Sequence, residues 1–341
     1  MKYSFSIVLF LTLTGTACKN RNGRLEPVVS AVDINPAYKN LNDSIGKFPG
    51  NALLYLRRAV RLSRENAHEL AYEDYLKAWS LQPGLEVALP FSANLQILGR
   101  RSEKLKLLES LQREFPTNIQ VERLLAESYE ASGMPGQALN IYNEMIIRDS
   151  LDPETQYEKG ILLEQMRDTI QAIAALKKAY TINGIATYGL ELANLYAEQR
   201  NPLALEICDF IIRQDVEGFL IDPFFIKGIY YSNIKQYAKA ISQFDSCITR
   251  DWKTTDAYLE KGQVYYHMKR FDAAIQTLKM ATTVSPSDPD AYFWLGRSYE
   301  AEQKTSDAID NYDKAISLDK NFTEARKRLE NLNHEFAHPS H

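Results

Sequence analysis

Small, large and polar side chains follow one another along this chain in an order that returns at a fixed interval. Gly228 and Tyr231, Gly262 and Tyr265, and Gly296 and Tyr299 recur 34 residues apart, as do Ala240 with Ile241, Ala274 with Ile275 and Ala308 with Ile309. Carried upstream, the interval divides residues 51–322 into eight segments, starting near residues 52, 86, 119, 153, 187, 221, 255 and 289. The second segment comes out one residue short, and the fifth fits best with its first helix moved back by one. The eighth position holds Ala59, Ala93, Ala126, Gly160, Ala193, Gly228, Gly262 and Gly296; the twentieth holds Ala71, Ala138, Ala172, Ala240, Ala274 and Ala308. Large side chains stand beside them: Tyr129, Tyr196, Tyr231, Tyr265 and Tyr299 in first halves, and Tyr75, Tyr142, Phe244, Leu278 and Tyr312 in second halves. Small residues opposite large ones let facing helices interdigitate at interior density, so each segment predicts a close helix pair. Pro83, Pro116 and Pro286 end second helices, because proline cannot continue the hydrogen-bond ladder.

This period, with these residue types, resembles the tetratricopeptide repeat (TPR), a helix–turn–helix unit. The resemblance covers about four-fifths of the chain and implies an all-α fold: a TPR α-solenoid, a right-handed superhelix of stacked helix pairs. A repeat buries its apolar face only against neighbours, so both ends need caps. Residues 37–50 predict an N-terminal capping helix, and residues 323–341 a charged C-terminal capping helix and a disordered tail. The last eight residues carry three of the five histidines and read as a frayed terminus rather than a metal site.

The N-terminus carries a different pattern. Lys2 precedes a short apolar run over residues 5–13, and Gly15, Thr16 and Ala17 supply small residues directly before Cys18. This resembles the leader of bacterial lipoproteins, with residues 1–17 removed and Cys18 lipidated, although Gly15 stands where Leu is usual. Plain secretion with a coincidental cysteine is the alternative. Residues 18–36 then read as the lipidated Cys and a flexible tether. Lys19 in place of Asp, and the basic stretch that follows, favour an outer-membrane lipoprotein facing the periplasm. Of the remaining cysteines, Cys208 and Cys247 read as buried thiols, with a disulfide as the alternative.

Composition narrows the function. Hydrophobic residues make up 45% and charged residues 25% of the chain, which suits a folded soluble body, and the net charge of −4 argues against a nucleic-acid binder. A phosphate-binding glycine loop, a zinc-protease helix, paired zinc cysteines and a serine nucleophile elbow are all missing from the sequence, so no enzyme, cofactor or metal is expected.

In TPR proteins the first helices line a concave groove through positions 2, 5, 6, 9, 12 and 13. From the third repeat onward these positions hold Glu127, Glu130, Glu154, Glu158, Glu164, Glu191, Glu198, Asp222, Asp256, Glu260, Asp290 and Glu300, against Arg123 and Arg297. Phe225, Ile229, Tyr266, Phe293 and Trp294 add apolar anchors. Lysine and asparagine, with which some TPR domains grip a chaperone's terminal carboxylate, are absent from positions 5 and 9 of the last three repeats. The expected partner is therefore a protein segment that is basic or amphipathic. The alternative for Phe225 and Phe293 is packing between repeats, with the acids serving solubility. The first two repeats instead present Arg57, Arg64, Val60, Leu56, Phe91 and Ile97, a surface for another protein or for a homodimer. These features fit a non-enzymatic scaffold or adaptor of the bacterial envelope that contacts the membrane only through its lipid. An accessory lipoprotein for nutrient or glycan capture is the second function class.

Overall fold

The computed structural model describes residues 36–337, with side chains described as far as Asn333. The leader, Cys18, most of the tether and residues 338–341 lie outside the described residues. The chain divides into two compact units, Met1–Ile141 and Tyr142–His341. In the first, the 3-10 turn Pro36–Tyr38 leads into α1 (Lys39–Lys47), followed by α2 (Ala52–Arg64), α3 (His68–Leu81), α4 (Leu85–Ile97), α5 (Arg101–Glu114), α6 (Ile119–Ala131) and the start of α7 (Pro135–Arg148). The second unit takes the remainder of α7, then α8 (Pro153–Gln165), α9 (Thr169–Ile182), α10 (Ala186–Glu198), α11 (Leu203–Gln214), α12 (Asp222–Asn233), α13 (Tyr237–Arg250), α14 (Thr255–His267), α15 (Phe271–Val284), α16 (Pro289–Ala301), α17 (Thr305–Leu318) and α18 (Thr323–Ala337). The described residues contain no strand. The fold is that of stacked helix pairs: α2 with α3 and α4 with α5 in the first unit, and α8 with α9, α10 with α11, α12 with α13, α14 with α15 and α16 with α17 in the second.

The turn inside each pair fixes the register. Asn66, Gly99, Gly133, Arg167, Arg200, Lys235, Lys269 and Gln303 all have φ between 58° and 74°. The N–H of the following residue bonds back to a carbonyl five residues upstream, from Ala67 to Leu62, Asp168 to Leu163 and Arg270 to Tyr265, at 2.8–2.9 Å. This is the left-handed C-terminal cap that satisfies the orphan carbonyls of a helix end. Counted from these turns, the fifth repeat starts one residue early, as expected, but so does the second. It begins at Leu85, and the missing residue belongs to the first repeat. The small residue at its eighth position is therefore Ser92, 1% exposed, while Ala93 lies on the surface.

The glycines at the eighth position are demanded by close approach. A Cβ placed on Gly228 would lie 2.5 Å from the Phe244 ring, on Gly262 2.5 Å from Leu278 Cγ, and on Gly160 2.6 Å from Leu176 Cγ. Each obstructing side chain belongs to the second helix of the same pair, and Ala172, Ala240 and Ala274 on those helices are fully buried. A short helix, α1, precedes the first pair, within the residues 37–50 expected to form a capping helix. It is held by Arg58, which donates to Asn42 at 2.8 Å and forms a two-bond ion pair with Asp74 at 2.7 and 2.8 Å. Tyr38 is buried just ahead of it and donates to Glu65 at 2.6 Å. The C-terminal helix α18 runs to Ala337 and buries Ala325 and Leu332.

Leu56 and Phe91, expected on a docking or dimer surface, are core residues; Phe91 stacks on Tyr75 with ring centroids 5.6 Å apart. The shifted second repeat explains Phe91, which moves one position around α4 and points inward. Val60 is half-buried, whereas Arg57, Arg64 and Ile97 are exposed. Cys208 and Cys247 are buried free thiols, each pushed up to about 12 by burial.

Replacing Gly262 by Ala should destabilise the second unit by about 1–3 kcal/mol, because overpacking outweighs the roughly 1 kcal/mol gained in helix propensity. Urea unfolding monitored by circular dichroism measures it; an unchanged or raised midpoint would show that Leu278 yields freely.

Candidate functional site

The first helices of the second unit carry carboxylates on one face. Glu158 and Glu164 come from α8, Glu191 and Glu198 from α10, Asp222 from α12, and Asp256 and Glu260 from α14. Between α10 and α12 lies a cavity of about 410 Å³ lined by Thr187, Leu190, Glu191, Asn194, Asp222, Phe225 and Ile226. Glu191 and Asp222 face one another across it, with Phe225 as an apolar wall. The Phe225 ring is itself braced by Phe244, 5.7 Å away.

Burial and mutual repulsion govern these carboxyls. Glu164 is raised above the usual carboxylate range by burial, with Glu191 and Glu198 adding to the effect. Glu191 is raised by burial and by Asp222. Glu260 is pushed up to about 7, chiefly by burial and then by Asp256, with a hydrogen bond from Gln263 acting the other way. Asp290 on α16 is raised by burial and by Asp288 and Asp319. Nearby lysines are already engaged: Lys227 pairs with Asp209 on α11 and Lys261 with Asp245 on α13, each at 2.5 Å. Half-buried Glu164, Glu191 and Glu260 thus stand near exposed carboxylates, an arrangement that a cation would relieve.

Not every predicted residue stays available. Phe293 is 3% exposed and packs on Tyr312 and Phe322, so it belongs to the core, as the packing alternative held. Glu300 accepts from Tyr312 and from Arg328 of α18 at 3.2 Å, and so ties the C-terminal cap. Ile229 is half-buried in the core around Phe244. Tyr266 and Trp294 meet at 5.5 Å and hold the Arg297 guanidinium 5.0 and 4.9 Å from their ring centres, with Arg297 donating to Tyr266 at 3.2 Å. Arg297 also pairs with Glu324 of α18 at 4.0 Å, so its charge is shared with the C-terminal helix. Glu127 is exposed on α6 of the first unit and borders a separate cavity there.

Two features had no counterpart in the sequence reading. One is the lining contributed by Thr187, Asn194 and Ile226, ordinary residues that become a wall only once α10 and α12 are adjacent. The other is an apolar cavity of about 390 Å³ against Phe210, Phe219 and Leu220, formed where residues 215–221 make a longer connection than those between the other repeats.

Comparison with known proteins agrees with this architecture. Residues 153–184 and 289–322 match family models of the tetratricopeptide repeat, and residues 262–303 a further TPR repeat model. The crystal structure of the APC/C hetero-tetramer Cut9–Hcn1 is similar with a TM-score of 0.53 and 19% identity, over 88% of this chain; this chain spans 59% of that one. A tetratricopeptide repeat protein from Parabacteroides merdae ATCC 43184 is similar with a TM-score of 0.51 and 16% identity, over 82% of this chain and 98% of that one. At these identities the likeness is one of fold. No curated protein shows significant sequence similarity to the chain. The chain carries tetratricopeptide repeats and has the fold of a TPR solenoid.

Because the Glu260 carboxyl is raised from 4.5 to about 7 on folding, its ionisation opposes folding. Its favourable contribution is complete below about pH 4.5 and lost as pH rises through about 7. Glu260→Gln should therefore raise stability at pH 8 by roughly 1–2 kcal/mol and hardly at all at pH 4.5. Thermal melts at the two pH values test this, and an equal effect at both would contradict it.

Proposed function

We propose that this protein is a non-enzymatic interaction scaffold of the bacterial cell envelope, binding a basic or amphipathic segment of a partner protein along the acidic first-helix face of its second unit. The observation that carries this reading is the pairing of Glu191 and Asp222 across a cavity walled by Phe225. A lysine or arginine entering there would relieve two carboxylates that now repel one another, while its aliphatic stem would lie against the ring. TPR repeats and a TPR fold support a role in protein interaction, and the matched families are repeat scaffolds. The leader-like run ahead of Cys18 supports lipid attachment at that residue, with the protein facing the periplasm from the outer membrane. Membrane contact in this reading comes through the lipid alone.

Crosslinking in intact envelopes followed by capture of the protein identifies the partner. With it in hand, Glu164→Lys combined with Glu191→Lys should weaken binding at least about tenfold, or ~1.4 kcal/mol. The salt dependence of the remaining affinity should flatten. Undiminished binding would place the interface elsewhere.

Cys18→Ser should move the protein from the membrane fraction to the soluble fraction. Retention in membranes would remove the lipid anchor from the proposal.

A further inference from the structure

The first unit contains a charge that its fold does not require. In the corrected register the twentieth position of the second repeat is Lys104, where Ala71, Ala138, Ala172, Ala240, Ala274 and Ala308 stand in six other repeats. Those alanines are fully buried packing residues, and Lys104 is only 7% exposed. Its ammonium donates to Gln96 at 2.9 Å. No carboxylate comes within ion-pairing distance of it among the described residues, and Glu127 favours its charged form only from further off. Burial holds this amine below the usual lysine range. One ammonium has three donors, so two N–H groups have no protein acceptor. An ammonium held in this way is poorly solvated, and alanine would serve the packing.

The space in front of Lys104 is a cavity of about 240 Å³, bounded by Gln96 and Gly99 at the end of α4, Arg101 and Lys104 on α5, and Glu127 and Ser128 on α6. It is several times the ~30 Å³ share of one water. Two cations and one carboxylate leave an excess of one positive charge. The positive end of α5 adds to it, since its N-cap Arg100 provides no side-chain cap.

We propose that this cavity is a binding site for a carboxylate group, received by the Lys104 ammonium and the Arg101 guanidinium and oriented by the Gln96 amide. A monoanion balances the excess charge, and a planar carboxylate offers acceptors to both cations at once. The carboxylate comes either from a small free acid or from an acidic side chain of a bound protein. The site lies wholly in the first unit and is independent of the acidic face proposed above.

The test is NMR of the intact protein carrying 13C at the lysine ε-carbons, with the Lys104 signal assigned through Lys104→Met. Sodium acetate should move that signal saturably, with half-saturation at roughly 1–20 mM, while sodium chloride at equal ionic strength should not. A second arm uses the peptide N-acetyl-Ala-Glu-Ala-amide against its Gln counterpart. Saturation by the Glu peptide at lower concentration than acetate assigns the site to a protein side chain; acetate binding with an inert peptide assigns it to a small acid. A Lys104 signal moved by neither ligand overturns the proposal. Lys104→Met should keep the helical circular dichroism and melt no lower than the parent, while losing any stabilisation by acetate. A melt several degrees lower would make the lysine a packing residue and also overturn it.

Discussion

The absence of a side chain at one point on each glycine-bearing first helix sets the spacing of its pair. Where Gly228 faces Phe244 and Gly262 faces Leu278, the second helix fills the volume a methyl group would need. Helices this close exclude water along the whole seam, so alanines line the opposite side and polar groups are displaced outward. Because each pair is apolar on both flanks, it is stable only when another pair or a cap lies against it. That requirement accounts for α18 at the C-terminal end of the second unit and for α1, fastened by Arg58 and Tyr38, at the start of the first.

The displaced charge is sorted by sign. In the second unit Lys227 and Lys261 are drawn to aspartates on neighbouring second helices rather than to carboxylates of the first helices. Half-buried and crowded, Glu164, Glu191 and Glu260 hold their protons more tightly than free side chains do. An acidic surface of this kind differs from an ordinary solvated one: its carboxylates are incompletely hydrated, so a cation there recovers an interaction that water does not supply. At the far end, Arg297 is held against Tyr266 and Trp294 and pairs with Glu324 of α18.

The repeat period and the helix pairs could be read from residue order because each rests on spacing within a single helix or between two consecutive ones. The slip in the second repeat could not. Ser92 and Ala93 are both small, and only the left-handed turn at Gly99 decides which of them faces inward. The same one-residue error moved Phe91 to the surface and concealed Lys104 at an alanine position. Phe293 and Glu300 were misplaced for another reason: Phe322 and Arg328, which claim them, belong to the capping region beyond the last repeat and lie outside the periodic pattern. The cavity beside Glu191 required knowing that α10 and α12 are neighbours, a relation between repeats rather than within one.

Six of the eight left-handed turns are made by residues with a side chain, among them Arg167, Lys235 and Lys269. Each adopts a backbone shape that glycine would accept without steric penalty, at a cost on the order of 1 kcal/mol. In an array whose cohesion is nearly a sum over neighbours, six such penalties lower the resistance of the whole to fraying from its ends. Glycine at any one of these turns would remove that steric penalty without disturbing the packed seam beside it.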